Sequence, residues 1–452
     1  MISSLIHRYG SHYKALLQLG VPIVVGNIGQ VVLSFADTLM IGWHSMRELA
    51  AAAFVNTMFL LLVIFALGFS MGLSPIVGSH FGRGEHEHIG GVLRAALAAN
   101  LLLALLLLAV TALLYANLHL LGQPAELLPL MKPYLLVNML SIPFACVTNV
   151  FKQFFEAIGR TKVSMVVMVC GNVTNIVGNA LLIYGLCGMP EWGLLGAGVS
   201  TALSRVLMMT GFVLVFAFGG KYRIYRRDLL AAKPNVALFR QLNVLGWPSA
   251  VQVGIETAAF TLTSVFVGWI GTRALAAHQI MITVSGLFYM VYLGIASAVL
   301  VRVSHFHGQR DWPAIVATSK AGFHIILVMA SAVAVPVFLL RNQVGGWFTD
   351  DAEVSHLVAV TIIPLILYQF GDGLQCTYAN ALRGLACMKP LMRASIVAYI
   401  GVSIPLSWLL GIVFGGGLLG VWSAFPVCLF VAGVLYLRIF RRRVNEESLN
   451  EE

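Results

Sequence analysis

Four ionisable side chains stand inside long apolar runs of the chain: Asp37, Arg205, Glu256 and Asp372. An ionised carboxylate at the centre of a helix in lipid costs about 2.5–3.5 kcal/mol on insertion scales. It needs a fixed countercharge, a proton or a bound cation. One arginine cannot neutralise three acids, so at least two are left without a fixed partner. That imbalance points to a cavity where protons or cations are exchanged. The plainer alternative is internal pairing, for example Asp37 with Arg205. Arg205 itself suits a structural donor at least as well as a substrate ligand.

Polar neighbours extend these positions. Asn172, Asn175 and Asn179 fall on one apolar segment, and Asn175 and Asn179 lie one turn apart on one face. Their amide oxygens suit Na⁺, and equally suit hydrogen bonding between helices. Asp372 sits in Gly371-Asp372-Gly373, where the glycines leave room for a neighbour, water or ligand. Arg205, Thr201, Gln30, Gln252, His278, Gln279, Tyr289 and Tyr292 are the substrate-cavity candidates. Met and aromatic side chains near them could soften a binding wall, but such residues are more often plain packing. His278 could titrate near neutral pH, although a hydrogen-bonded packing role suits it better.

The elements that must hold these residues are membrane-spanning helices. The 452 residues are 59% hydrophobic and only 10% charged, against roughly 25% charged in soluble domains. Crossing about 30 Å of hydrocarbon takes about 20 residues of helix. Twelve spans are predicted, at about 15–41, 50–77, 92–116, 130–151, 163–185, 194–218, 242–268, 275–300, 316–340, 355–380, 391–414 and 418–438. No cleavable signal peptide is expected, because the first apolar segment is long and lacks a small-residue cleavage pattern. With the N-terminus inside, 23 of the 28 Lys and Arg residues, Arg383 among them, fall in inner loops and tails. Arg47, Lys132, Arg273 and Arg341 fall outside, and Arg205 within a span. This is the positive-inside pattern; it predicts cytoplasmic termini and reads the net charge of +10 as topology rather than a nucleic-acid patch.

The chain also repeats itself. Residues 19–52 align without a gap with 245–278, matching Leu19-Gly20-x-Pro22 to Leu245-Gly246-x-Pro248, Gly42-Trp43 to Gly268-Trp269 and Arg47 to Arg273. Ser79-His80-Phe81 recurs as Ser304-His305-Phe306, and Gly193-Leu-Leu-Gly196 as Gly417-Leu-Leu-Gly420. The expected architecture is all-α: an N-lobe at 1–220, a basic cytoplasmic linker at 221–236, a C-lobe at 237–440 and a charged tail at 441–452. The lobes carry six helices each and are related by a pseudo-two-fold along the membrane normal. Such repeats in transporters place the binding site between halves that rock. Six scattered cysteines form no CxxC, so neither disulfides nor a cysteine metal site is implied. No nucleotide loop, metal cluster or nucleophile motif suggests an enzyme.

Leu19-Gly-Val-Pro22, Phe35-Ala-Asp37-Thr-Leu-Met-Ile-Gly42, Ala276-Ala-His278-Gln279, Ala381-Leu-Arg383-Gly384 and the paired Gly-Leu-Leu-Gly segments resemble the multidrug and toxic compound extrusion (MATE) family, in its NorM-type branch. The resemblance covers nearly the whole chain. It implies a carboxylate pair on the seventh and tenth helices, here Glu256 and Asp372, and a first-helix acid, here Asp37. In the family's N-lobe cation site an Asn and an acid accompany that Asp; here both positions are asparagine, Asn175 and Asn179. The resemblance implies efflux of cationic amphipathic compounds in exchange for Na⁺ or H⁺ by alternating access. Na⁺ would be held at Glu256 and Asp372, or at Asp37, Asn175 and Asn179. It further implies a monomer in a bacterial inner membrane, surrounded by lipid, with no cofactor beyond the coupling ion. The rival reading is a flippase for lipid-linked sugars from the same superfamily. A basic cavity is expected there, whereas three acids against one arginine favour cations.

Overall fold

The computed structural model describes residues 2–121, Pro124 and 126–449. It is all-α, with no strand among the described residues. Eleven helices are long and apolar enough to cross a membrane, and a bent pair makes a twelfth. They run α1 Tyr9–His44, α2 Met46–Gly82, α3 His86–Ala116, α4 Leu128–Leu140 plus Ile142–Ala157, α5 Thr161–Ile183 and α6 Gly193–Phe218. The series continues with α7 Val236–Ile270, α8 Thr272–Gln309, α9 Trp312–Leu339, α10 Ala352–Gly384, α11 Met388–Val413 and α12 Gly417–Leu449. The two parts of α4 meet at a 41° bend beside Ser141, where Pro143 in the following turn has no N–H to continue the ladder. A nine-residue linker helix, Arg223–Ala231, lies between α6 and α7. On α3, Leu102, Leu105 and Leu106 are exposed apolar side chains. Such a surface is stable only against hydrocarbon.

Internal packing divides the chain into two compact units. The first is Val25–Ala250; the second joins Met1–Val24 to Val251–Glu452. This differs from a division into whole lobes, because α1 and α7 are each shared between units. The divisions after Val24 and after Ala250 fall at equivalent places in the repeat, two residues beyond Pro22 and Pro248.

The repeated glycines supply the reason. In the second unit, a Cβ on Gly20 of α1 would lie 2.8 Å from Ile295 Cδ1, and one on Gly294 of α8 would lie 2.8 Å from Val24 N. In the first unit, a Cβ on Gly72 of α2 would lie 2.8 Å from Gly246 N of α7, and one on Gly68 would lie 2.8 Å from Ala250 Cα. Gly20 and Gly246 are repeat partners, as are Gly68 and Gly294. Each pair lets backbones approach as small residues do at membrane helix crossings. The start of α1 is further fixed within its unit by His12 Nδ1 against Thr318 Oγ1 at 2.9 Å and by Tyr13 OH against His324 Nδ1 at 2.9 Å.

The repeated arginines also have matching roles. Arg47 pairs with Glu126, just before α4. Arg273 pairs with Asp351 and Glu353 at the start of α10.

Candidate functional site

In the first unit, α5 and α6 pack almost backbone to backbone. A Cβ on Gly171 would overlap Met208 Cγ, one on Gly178 would overlap Ser200 Oγ, and one on Gly196 would overlap Leu182 O. This contact presses Asn175 against α6, where Ser200 Oγ donates to its backbone oxygen at 2.8 Å. Asn175 and Asn179 are fully buried. Asn179 Nδ2 donates to Asp37 Oδ1. With its NH₂ turned to the acid, the Asn175 amide donates to the same Asp37 oxygen at 3.0 Å and accepts from Thr201 Oγ1 at 3.1 Å. Asp37, Asn175, Asn179 and Thr201 are thus one cluster. Asn179 Oδ1 is buried without a donor among the described residues, which leaves an acceptor oxygen open beside the carboxylate.

Arg205 does not complete this cluster as an ion-pair partner. Its guanidinium donates to Ser141 Oγ at the bend of α4 and lies 5.0 Å over the Phe59 ring. Asn172 is buried with its Nδ2 unpartnered, close to Gly29. Gln30 is exposed.

The second unit holds Glu256 and Asp372. Glu256 on α7 accepts from Gln252 Nε2 at 3.1 Å and from Gln375 Nε2 at 3.4 Å. Gln375 Nε2 also donates to Tyr399 OH at 3.1 Å. Asp372 on α10 is 1% exposed, and its Oδ2 has no partner among the described residues. Its Oδ1 meets Cys376 Sγ at 3.8 Å. The flanking glycines serve helix approach: a Cβ on Gly371 would lie 3.0 Å from Leu429 Cβ of α12, and one on Gly373 2.7 Å from Ile326 Cγ2 of α9. Gln369 Oε1 and Nε2, Gln375 Oε1 and Tyr292 OH are also buried without partners among the described residues. Asp372 Oδ2, Gln369 Oε1 and Gln375 Oε1 are acceptors that a proton or a small hard cation would satisfy, while Gln369 Nε2 is a donor without an acceptor.

Arg383 corrects the sequence reading. The charge pattern places it in an inner loop, but α10 continues through it and leaves it 4% exposed. It donates to Gln252 Oε1 and, at 3.2 Å, to Asn380 Oδ1, so its bonded partners are amides and not either acid. Gln369, Gln375, Tyr399 and Arg383 join the site without standing among the candidates of the sequence. Gln369, Asp372 and Gln375 are spaced by three on one helix, and that polar periodicity is the available signal.

His278 is 1% exposed. Trp422 Nε1 donates to its Nδ1 at 3.0 Å, and its Nε2 meets Ser264 Oγ at 2.9 Å. An indole N–H can only donate, so the ring proton sits on Nε2. This is a packed neutral histidine with both nitrogens occupied. Gln279 is exposed, Tyr292 buried and Tyr289 half-buried.

The MatE family model matches residues 22–181 and 248–409. A probable multidrug resistance protein NorM of Bradyrhizobium diazoefficiens is 31% identical, with 96% of this chain and 94% of the relative covered. The protein of the same description from Photorhabdus laumondii is 27% identical, with 95% of each covered. Among solved structures, the eukaryotic MATE transporter AtDTX14 superposes with TM-score 0.85 at 20% identity, over 97% of this chain and 98% of that one. A MOP superfamily transporter from Pyrococcus furiosus reaches TM-score 0.88 at 20% identity, over 98% of both. Two family matches that fall on the two repeats, with full-length NorM relatives beside them, make this chain a multi-pass member of the MatE family of multidrug efflux transporters.

Proposed function

We propose that the protein is an antiporter that exports cationic amphipathic compounds in exchange for Na⁺ or H⁺ by alternating access. The observation that carries this reading is Asp372 Oδ2, a buried acceptor without a partner among the described residues, with Gln369 Oε1 and Gln375 Oε1, likewise unpartnered, three residues to either side on the same helix. Arg383 is committed to Gln252 and Asn380, so among the described residues no guanidinium is bound to either carboxylate as a permanent counter-ion. Burial makes the bare carboxylates costly, so their charge is traded against a mobile cation. Facing out, Glu256 and Asp372 take up a proton or Na⁺ and release the substrate. Facing in, loss of the ion restores negative charge that attracts a cationic compound. Asp37 with Asn175 and Asn179 forms a second, smaller acceptor site in the other unit, coupled to the same cycle.

The test is dye efflux from whole cells or inverted vesicles, with Na⁺ and pH gradients imposed separately. Glu256→Gln combined with Asp372→Asn should abolish gradient-driven efflux while the protein still inserts. Normal efflux by that variant at full gradient would overturn the mechanism.

A further inference from the structure

We infer that the inner end of α7 carries a binding site for an anionic phospholipid of the cytoplasmic leaflet. Three features of the first unit build it. A cavity of about 680 Å³ lies where the turn into α3 meets the end of the linker helix, lined by His80, His88, Asp228 and Lys233 and reaching Val236 and Leu238. Among the described residues Asp228 is the one acid on its wall, and its Oδ2 is committed to Gly91 N at 2.7 Å. His80 and His88 line the wall beside Asp228, and the exposed ammonium of Lys233 stands at the rim as the group that would meet an anion.

The second feature is a stripe down α7. Val236, Arg240, Val244 and Trp247 follow one another at spacings of four, four and three, which places them on one helix face. All four are exposed, Val236 at 79%, Val244 at 43% and Trp247 at 40%. Val236 opens the stripe at the cavity, Arg240 follows as its cation, and Val244 and the Trp247 indole continue it about one and two turns further on. The stripe matches a lipid laid along the helix, with its phosphate between Lys233 and Arg240 and its acyl chain on Val244 and Trp247.

The third feature is the anchoring of the cavity wall. A Cβ on Gly90 would overlap Tyr225 O and Leu229 N, so the linker helix rests directly on the start of α3. Arg94 donates to Ala232 O. Lys233 is thus carried by a docked segment and not by a free tether. The positive-inside pattern puts this end in the cytoplasm, where the leaflet is anionic and attracts juxtamembrane basic groups.

The experiment is native mass spectrometry of the purified full-length protein with phosphatidylglycerol and, separately, phosphatidylcholine of the same chains. Phosphatidylglycerol should be held more tightly. Lys233→Gln with Arg240→Gln should weaken it by about thirty-fold, and each single variant by about five-fold, with phosphatidylcholine unchanged. Lys233→Arg with Arg240→Lys should restore retention, and inorganic phosphate at equal concentration should not compete. Equal retention of both lipids, undiminished phosphatidylglycerol binding in all three Gln variants, or displacement by inorganic phosphate would overturn the lipid site; the last outcome would mark a free-anion site instead.

Discussion

Arg383 donates to Gln252 Oε1, and Gln252 in turn donates through its Nε2 to Glu256 Oε2. A guanidinium has no acceptor, so it settles which end of the Gln252 amide faces the acid. Arg383 thereby acts on Glu256 without touching it. It keeps a donor aimed at a carboxylate that, in the proposed cycle, must alternate between charged and neutralised states.

Removing that anchor frees the amide to rotate and present its oxygen to Glu256. Arg383→Gln should lower the cation concentration needed for half-maximal dye efflux by about ten-fold, the scale of one hydrogen bond to a charged group, because the acid loses a donor and a nearby positive charge that favour its bare form. Arg383→Lys keeps the charge but loses the planar fork, and should fall between that variant and the parent. Arg442→Gln, which removes an exposed arginine paired with Glu446 on its own helix, should change nothing. The check is the ion dependence of efflux at matched protein level.

Asn179 poses the same question in the first unit. Its Nδ2 donates to Asp37, and its Oδ1 is the unpartnered oxygen beside that acid. Asn179→Leu deletes both. The expected result is a shift of about ten-fold or more in apparent affinity for the coupling ion, downward for Na⁺, which loses a ligand oxygen, and upward for H⁺, because Asp37 loses a donor to its charged form, with Glu256 and Asp372 intact. Unchanged ion dependence of dye efflux in Asn179→Leu would remove Asp37 from the coupling machinery.

These two sites differ in how legible they are from sequence. The acids are visible because each breaks an apolar run, and the repeat is visible because Gly20-x-Pro22 and Gly246-x-Pro248 recur in register. Arg383 is not visible as a buried group. A basic residue at the end of a long helix usually reaches water by extending its side chain, and whether it does so depends on packing from distant helices. Here Gln252 and Asn380 hold it inside. The sharing of α1 and α7 between units is hidden for a related reason. Hydropathy marks a whole helix, while Gly68, Gly72 and Gly294 decide which neighbour each end of it touches. His278 shows the opposite case, where a titratable residue type proves to be occupied at both nitrogens by Trp422 and Ser264.

The glycine crossings give a stability prediction with an internal control. A Cβ on Gly72 would lie 2.8 Å from Gly246 N and 3.0 Å from Gly246 Cα, and backbone cannot swing aside. Gly72→Ala should cost about 1–3 kcal/mol through overpacking. A Cβ on Gly268 would meet nothing within 4 Å, so Gly268→Ala should not lower the unfolding temperature. Thermal unfolding in detergent, read by intrinsic fluorescence, separates the two. Equal unfolding temperatures would show that the α2–α7 crossing is looser than these distances imply.

Asp351 offers a prediction in pH. It caps α10: its Oδ1 accepts from Glu353 N at 2.9 Å and Val354 N at 3.3 Å, while its Oδ2 meets Arg273 Nε at 3.2 Å. The backbone N–H of Val354, above all, holds its carboxyl below the usual carboxylate range, with further help from Glu353 N–H and the Arg273 charge. A folded-state value below the unfolded one means that the stabilisation is present above the unfolded value, about 3.9. It is lost as pH falls through the lower folded value. Asp351→Asn keeps a good cap but removes the charge, so near neutral pH it should unfold at a lower temperature than the parent. Asp351→Ala should unfold lower still, because it also leaves the Glu353 and Val354 N–H groups without their side-chain acceptor. The gap between Asp351 and Asp351→Asn should close as the solution is acidified below about pH 4, while the gap between Asn and Ala, which does not depend on ionisation of this residue, persists. A difference between Asp and Asn that stayed constant down to about pH 3 would mean that the charge contributes nothing beyond the cap.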